Sequence, residues 1–137
     1  MKRCNHVQGE IEAAYHDAAL KFSLADSTQF ILYTICCLGD NCPLNEIVRM
    51  TGISKQTINS AIRNMERQDL IRLVSATPKT KNVVFTEKGE ALAEETVLRL
   101  MQAEDEIFAA WSDEDVQKYL ELNERFLKDL RDKIDQL

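Results

Sequence analysis

Amide, hydroxyl and guanidinium side chains are concentrated on one face of the helix that the sequence predicts after residue 54. At about 100° per residue, Ile58, Ile62 and Met65 point in one direction, which marks the buried side. The opposite side carries polar residues, namely Gln56, Asn59, Ser60, Arg63 and Arg67. Glutamine and asparagine can pair bidentately with adenine, and arginine with guanine. The face therefore suits the edges of DNA bases, although Arg67, near the helix end, could serve only to cap or solvate it.

A helix-turn-helix would position this face. The spacing predicts a short preceding helix over residues 43–51 that Pro43 opens. Val48 lies where the two helices approach, Gly52 permits the turn and Ile53 fills the crevice. Taken alone, this match is equally compatible with an ordinary pair of packed helices, and the polar face favours the helix-turn-helix. The start of the second helix adds further polar groups: the cap Ser54, then Lys55 and Thr57.

Two short apolar runs after this helix predict a β-hairpin, or wing. They cover residues 70–74 and 83–85, and a polar loop over residues 75–82 separates them. No acidic residue occurs between Arg72 and Glu87, so the hairpin tip is suited to DNA phosphates or the minor groove. A solvated loop often contains lysine as well, and only the combination with the helix-turn-helix specifies a winged helix. The tip carries Lys79, Thr80, Lys81 and Asn82.

The rest of the chain is predicted to be helical. Ile11, Tyr15, Ala18 and Phe22 mark one face of a first helix. A second helix begins at a cap formed by residues 26–27 and ends at Gly39, within a turn over residues 39–41.

Beyond the wing, a long helix over residues 87–110 begins at the cap Thr86. A last helix, capped by Ser112 or Asp113, runs almost to Leu137. The predicted fold class is mostly α, with a winged helix-turn-helix at residues 39–89 between helical regions at 1–38 and 90–137.

Apolar residues recur every three or four positions along the last helix, and Ile107, Phe108 and Trp111 precede it. This surface is larger than one small winged helix can cover. An intramolecular bundle is one way to bury it. A two-fold dimer is favoured, because proteins that bind DNA half-sites gain affinity and spacing from two-fold symmetry. The flanking helical regions are therefore expected to form a dimerisation domain.

Charge is segregated along the sequence. The chain has a net charge of −6, which taken whole argues against coating nucleic acid or acidic membranes. Residues 44–89, however, carry +4, whereas residues 1–43 carry −2 and residues 90–137 carry −8. A basic middle between acidic helices is the pattern of a focused DNA footprint.

Composition and missing motifs exclude several other classes. With 45% hydrophobic residues in 137, the chain can bury a core, which excludes a disordered protein. No secretion signal and no apolar run long enough for a membrane span occur, so we expect a cytoplasmic protein with reduced thiols. No glycine-rich phosphate loop, nucleophile–histidine pair or catalytic carboxylate pair can be assembled, and we therefore expect no enzymatic activity and no cofactor.

The sequence resembles the MarR family of winged helix-turn-helix transcriptional regulators over nearly its whole length. The resemblance lies in residues 53–58 (ISKQTI), 65–71 (MERQDLI) and 85–89 (FTEKG), the last being similar to the family's step from wing into long helix. It implies a homodimer with intertwined terminal helices on a pseudo-palindromic operator. It also implies a small-molecule or oxidant signal that changes DNA affinity. A ligand pocket would then involve Tyr15, Phe22, Tyr33 and Met101.

Two features depart from the family pattern. Thr77 and Lys79 stand where the wing of the family usually carries an Asp-x-Arg pair, so the usual internal salt bridge of the wing is not expected. Asp69 stands where a glycine commonly follows the recognition helix, so that turn could differ.

The cysteines raise the question of oxidant sensing. Cys36 and Cys37 lie on a mostly apolar helix and are expected to be buried small hydrophobes. Cys42, just before a helix start, is the better sensor candidate. Cys4 and His6 match no zinc-binding signature, and His16 is expected to pack or to lie at an interface, so no metal site is expected.

Two functional hypotheses follow. The first is a dimeric, sequence-specific DNA-binding regulator, more in keeping with a repressor than an activator, whose base contacts come from Gln56, Asn59, Ser60 and Arg63. Backbone or minor-groove contacts would come from Ser54, Lys55, Thr57, Lys79, Thr80, Lys81 and Asn82. The alternative is a winged helix used as a protein-interaction module without specific DNA binding.

Overall fold

The secondary structure is mainly helical, as predicted, with one small antiparallel sheet. A computed structural model describes residues 1–39 and 41–137, and Asp40 of the predicted turn lies outside the described residues. The chain divides into two compact units, Met1–Leu100 and Met101–Leu137. In chain order the elements are α1 (Lys2–Lys21), α2 (Asp26–Leu38), β1 (Cys42–Pro43), α3 (Leu44–Thr51), α4 (Lys55–Arg67), β2 (Ile71–Thr77), β3 (Thr80–Phe85), α5 (Glu87–Glu95), α6 (Val97–Ala109) and α7 (Asp113–Ile134).

The core of the first unit forms where α2, α3, α4 and the sheet meet. Ile31 and Leu32 of α2, Ile47 of α3 and Ile58 of α4 are fully buried in one cluster. Burial of each such side chain contributes about 1.5–3 kcal/mol, which fixes the helices against one another. The four residues expected to face inward from α4 are all buried: Ile58, Ala61, Ile62 and Met65.

The turn and the cap of the predicted helix-turn-helix are present. α3 ends at Gly52, whose φ of 65° is left-handed and suits a residue without a Cβ. The Ser54 hydroxyl then accepts a hydrogen bond from the Thr57 backbone N–H and caps α4.

A third strand was not predicted. Pro43 does not open α3 but lies in β1, and α3 begins at Leu44. Cys42 pairs with Val83 and Pro43 with Asn82, so the sheet has the order β1-β3-β2. The strand has two residues, too few for a periodic pattern, and its proline lies on an edge strand, where a missing donor is tolerated.

The predicted wing is present, but its strands are longer and its loop is shorter than expected. β2 and β3 pair from Ile71 with Phe85 to Thr77 with Thr80, so only residues 78–79 remain as a turn. The Thr77 hydroxyl accepts the Thr80 backbone N–H at 3.1 Å and lies 2.6 Å from the Thr80 hydroxyl. These local hydrogen bonds stabilise a tight turn at the tip of the wing, where the sequence predicted a loop of eight polar residues.

The single helix expected over residues 87–110 is two helices. Thr86 caps α5 as predicted, by accepting the Gly89 N–H at 3.0 Å. The helix ends at Thr96, where ψ is −88°, and α6 begins at Val97. The Thr96 hydroxyl donates to the Leu92 carbonyl oxygen, a back-bond that is typical of bent helices.

The start of α2 also differs from the prediction. Ala25 is the N-cap, without a side-chain cap, and Asp26 is already in the first turn. The Asp26 carboxylate is instead held by His16 of α1, whose Nδ1 lies 2.9 Å from both carboxylate oxygens. The carboxylate therefore engages a side chain ten residues away, and α2 begins without a side-chain cap.

The Met101–Leu137 unit contains α7, which Ser112 caps by accepting the Asp115 N–H at 3.1 Å. Phe108, Trp111 and Tyr119 form a cluster of edge-to-face and tilted rings with centroids 5.3–5.9 Å apart. The apolar stripe of α7 is exposed in the single chain, with Phe126, Leu127, Leu130 and Ile134 each 42–55% accessible.

Candidate nucleic-acid interface

The first turn of α4 presents an ordered group of polar side chains. The Ser54 hydroxyl accepts the Thr57 N–H at 3.2 Å and lies 2.8 Å from the Thr57 hydroxyl. Lys55 and Gln56 are exposed beside this cap. A helix N-terminus carries partial positive charge and free N–H groups, so this end of α4 is suited to a phosphate.

The polar face predicted for α4 is solvent-facing. Gln56, Ser60 and Arg63 are exposed and Asn59 is half-buried, whereas Ile62 on the opposite side is buried. Because the buried side is fixed in the core, the four polar side chains have a defined direction. The helix therefore presents amide, hydroxyl and guanidinium groups on one rigid surface.

The wing tip supplies the second part of the site. Lys79, Thr80 and Lys81 are exposed at the turn. Asn82 is half-buried and pairs with Val74 of β2 on one side and with β1 on the other, so it lies further back along the strand.

A groove of about 710 Å³ lies between the helix-turn-helix and the wing, and we call it the α4–wing groove. Its floor is apolar, formed by Leu44, Val48, Ile62 and Leu73. It brings together six of the residues predicted to bind DNA: Lys55, Asn59, Arg63, Lys79, Thr80 and Lys81. The other predicted contacts do not line it; they are Ser54, Gln56, Thr57, Ser60 and Asn82.

Two polar residues of the α4–wing groove were missed by the sequence reasoning. Asn45 comes from the first turn of α3, and Glu66 from the last turn of α4. Glu66 could have been found, because it lies seven residues after Asn59 and so returns to the same helix face. Asn45 gave no signal, since only the tertiary packing of α3 places it there.

The lysine and arginine side chains of the groove have no ion-pair partners among the described residues. In residues 1–39 and 41–137, no acidic side chain forms an ion pair with Lys55, Arg63, Lys79 or Lys81. Arg49 on α3 differs, because its Nε donates to Glu46 at 2.9 Å, and this hydrogen bond raises the pKa of Arg49. The four cations of the groove therefore carry charge that no acidic side chain of the described residues pairs with.

The link from α4 into the wing is tied to the start of α5. Asp69 adopts a left-handed φ of 58°, so the turn keeps a conformation that glycine favours even though the residue is not glycine. Its carbonyl oxygen accepts the Thr86 hydroxyl, and the Lys88 ammonium donates to the Gln68 carbonyl at 2.8 Å. These bonds fix the wing relative to α4.

The residues of the family-implied ligand pocket lie in both compact units. Tyr15, Phe22 and Tyr33 are half-buried in the first unit, and Met101 is half-buried in the second. None of them lines the α4–wing groove, and the pocket remains a prediction.

The thiols do not have the exposures that were expected. Cys42, preferred as sensor because of its place at a helix start, is only 1% exposed, and burial, with a smaller effect of Glu46, raises its pKa to about 11. Cys37, expected to be buried, is exposed. Cys36 is half-buried, and its pKa is raised by burial and, to a smaller extent, by Cys37. Pairing in the sheet, which the sequence pattern missed, covers Cys42.

The described residues form neither a metal-binding group nor a membrane-spanning helix. Within residues 1–39 and 41–137, no group of three or more His, Cys, Asp or Glu side chains is arranged to hold a metal ion. Over the same residues, no helix combines the length and the apolar character needed to cross a bilayer.

The fold and the groove define a winged helix-turn-helix protein. Among solved structures, the chain is similar to the MepR–DNA complex of S. aureus, with a TM-score of 0.71, 18% identity and coverage of 94% of this chain and 96% of that one. It is also similar to the transcriptional regulator PA3341 (TM-score 0.76, 15% identity, 93% and 98% covered). A MarR-family regulator from Rhodococcus sp. RHA1 follows (TM-score 0.68, 17% identity, 89% and 87% covered).

The sequence model of the MarR family matches residues 31–79, from α2 to the wing tip. Over those residues, this match confirms the resemblance to the MarR family that was inferred from the sequence. No curated protein matches the chain in sequence.

Proposed function

We propose that this chain is a cytoplasmic, sequence-specific regulator of transcription that binds double-stranded DNA. One observation carries the proposal: Asn59 and Arg63 of the polar face of α4 share one groove with the lysines of the wing tip, and the cations of this groove have no acidic partner among the described residues. A surface with paired charges would gain little from phosphate, whereas free lysine and arginine release counterions from DNA on binding.

The elements suggest a division of roles on DNA. α4 has 13 residues, so it is about 20 Å long and can lie in a major groove. Its side chains Gln56, Asn59, Ser60 and Arg63 would contact base edges. Phosphate and minor-groove contacts would come from Ser54, Lys55, Thr57, Lys79, Thr80, Lys81 and Asn82.

A homodimer is part of the proposal. The exposed apolar stripe of α7 needs a cover, and Phe126, Leu127 and Leu130 in a single chain would leave it in water. Pairing of the terminal helices of two chains would bury it and present two α4 helices to a pseudo-palindromic operator. Analytical ultracentrifugation of Leu127→Asp should show a monomer where the wild type is a dimer. Lys128→Asp, beside the stripe, should leave the dimer intact, and a monomeric wild type would contradict the proposal.

We further propose that the regulator is a repressor whose DNA affinity a small molecule lowers. The ligand would contact Tyr15, Phe22, Tyr33 and Met101, as the resemblance implies. A library of apolar small molecules screened for release of labelled operator DNA tests this. Phe22→Ala should weaken release by an active compound while leaving DNA binding without the compound unchanged; equal release from both proteins would argue against the pocket.

The decisive experiment is selection of bound sequences from a random DNA pool. We expect a two-fold symmetric motif, which would establish the class, the dimer symmetry and the half-site spacing together. Arg63→Ala should lose about 1–3 kcal/mol of binding free energy on the selected sequence and relax the preference at one position. Arg99→Ala removes the same charge outside the groove and should leave binding unchanged. Recovery of no motif would refute the proposal.

The alternative, a protein-interaction module, draws support from the apolar floor of the groove, formed by Leu44, Val48, Ile62 and Leu73. Salt dependence separates the two functions. A phosphate-binding face loses affinity steeply as salt rises, whereas binding of a protein to an apolar floor does not.

A further inference from the structure

Glu66 is an acidic side chain in the otherwise basic α4–wing groove. Among the described residues that line the α4–wing groove, it is the only acidic one, together with four lysine and arginine side chains. It is exposed, and no ion pair or hydrogen bond engages its carboxylate within residues 1–39 and 41–137. Its negative charge is therefore not neutralised by the cations around it.

The position of Glu66 follows that of Arg63. Both residues line the α4–wing groove, and both also line a second depression on the helix, together with Ser60 and Arg67. Glu66 lies three residues after Arg63, so the two side chains are neighbours on the helix surface. Whatever approaches Arg63 also approaches Glu66.

A carboxylate discriminates between the groups that DNA can present. It accepts hydrogen bonds and donates none, so it is compatible with the amino group of cytosine or adenine in the major groove. Phosphate oxygens and the acceptor edge of guanine are repelled. A lysine or arginine at this place would instead increase affinity for any DNA.

We propose that Glu66 is a specificity-determining residue of the DNA-binding face. It opposes binding modes that place phosphate or acceptor groups at the end of α4, and it admits sites with an amino group there. The proposal rests on the DNA-binding function proposed above. At a separation of about 6 Å in water, two unit charges interact enough to change affinity about threefold, and more in a partly shielded groove.

The test compares two labelled duplexes, the sequence selected from the random pool and a scrambled version of it, by fluorescence anisotropy. Glu66→Gln keeps size and helix propensity and removes the charge. We expect affinity for the scrambled duplex to rise about three- to tenfold, with a smaller rise for the selected duplex, so the specificity ratio falls. Glu94→Gln, an exposed change of the same charge on α5, should leave the ratio unchanged.

Glu66→Ala separates repulsion from an obligatory hydrogen bond. If repulsion dominates, Ala should lower the ratio as Gln does. A loss of affinity for the selected duplex alone with Ala would overturn the repulsive role. If the wild type prefers the selected duplex and Glu66→Gln leaves the specificity ratio unaltered, the inference is overturned while the DNA-binding function stands. The same holds if Glu94→Gln alters the ratio as much as Glu66→Gln does. A wild type without preference overturns both.

Discussion

Replacement of Gly89 by alanine should destabilise the junction between wing and helix. Gly89 is buried in the first turn of α5, and its N–H donates to the Thr86 hydroxyl. A Cβ at this position would overlap the Leu70 carbonyl oxygen and lie 3.1 Å from the Phe85 ring. The same Leu70 oxygen accepts the Thr86 N–H at 3.1 Å. Relief of the overlap therefore requires a backbone shift that also strains this hydrogen bond.

The magnitude follows from three contributions. Overpacking against backbone costs about 1–3 kcal/mol. Weakening of the Thr86 hydrogen bond adds about 0.5–1.5 kcal/mol. Alanine returns about 1 kcal/mol through its better helix propensity. We expect the free energy of unfolding to fall by about 2 kcal/mol, within a range of about 0.5–3.5 kcal/mol.

Urea unfolding followed by circular dichroism, at one fixed protein concentration, measures this change. Gly9→Ala is the matched control, because Gly9 lies inside α1 with no atom within 4 Å of an added Cβ. That variant should be stabilised by about 0.5–1 kcal/mol. If Gly89→Ala were as stable as the wild type, the argument that the close approach of α5 to Leu70 requires a glycine at position 89 would be refuted.

Three further outcomes are expected. Lys79→Ala with Lys81→Ala should reduce the slope of log affinity against log salt by about 2, and an unchanged slope would remove the wing tip from the phosphate contacts. Asp69→Gly should raise the free energy of unfolding by about 0.5 kcal/mol, measured with urea, because it relieves a left-handed conformation. Because burial raises the pKa of Cys42 from 9.0 to about 11, unfolded chains lose this proton first. The free energy of unfolding should therefore be retained below pH 9 and decline between pH 9 and about 11. Urea unfolding at a series of pH values measures this decline, and it should be smaller in Cys42→Ala.

The parts of the fold that local signals determine could be predicted from the sequence. α4 was predicted correctly because a cap at Ser54 and apolar residues at helical spacing agree. β1 could not be predicted, since two residues have no periodicity and their pairing with β3 is long-range. α5 ends without a glycine or proline at its C-cap Thr96, so no local sequence signal marks this end.

In the candidate site, too, the features set by local sequence could be predicted, whereas those set by tertiary packing could not. The polar face of α4 follows from helical geometry and was visible in the sequence. The groove does not, because its volume depends on how the wing folds back toward α3 and α4. Asn45 therefore became a candidate only in the structure, whereas helical spacing from Asn59 already placed Glu66 on the same face. The exposure of Cys37 and burial of Cys42 likewise depend on packing rather than on neighbours in sequence.

A net charge of −6 is compatible with DNA binding because charges act over short distances at cellular ionic strength. The screening length there is about 8 Å, so a phosphate in contact with the groove is influenced mainly by side chains within that distance. Residues 44–89 carry +4, and the lining of the groove contains four of their cations. Among the described residues, no acidic side chain from the rest of the chain, which carries −10, lines the groove. Glu66, an acidic residue of the basic segment itself, lines the groove and so places a negative charge inside the screening length. For that reason the effect of one acidic side chain on specificity can exceed that of the whole acidic remainder.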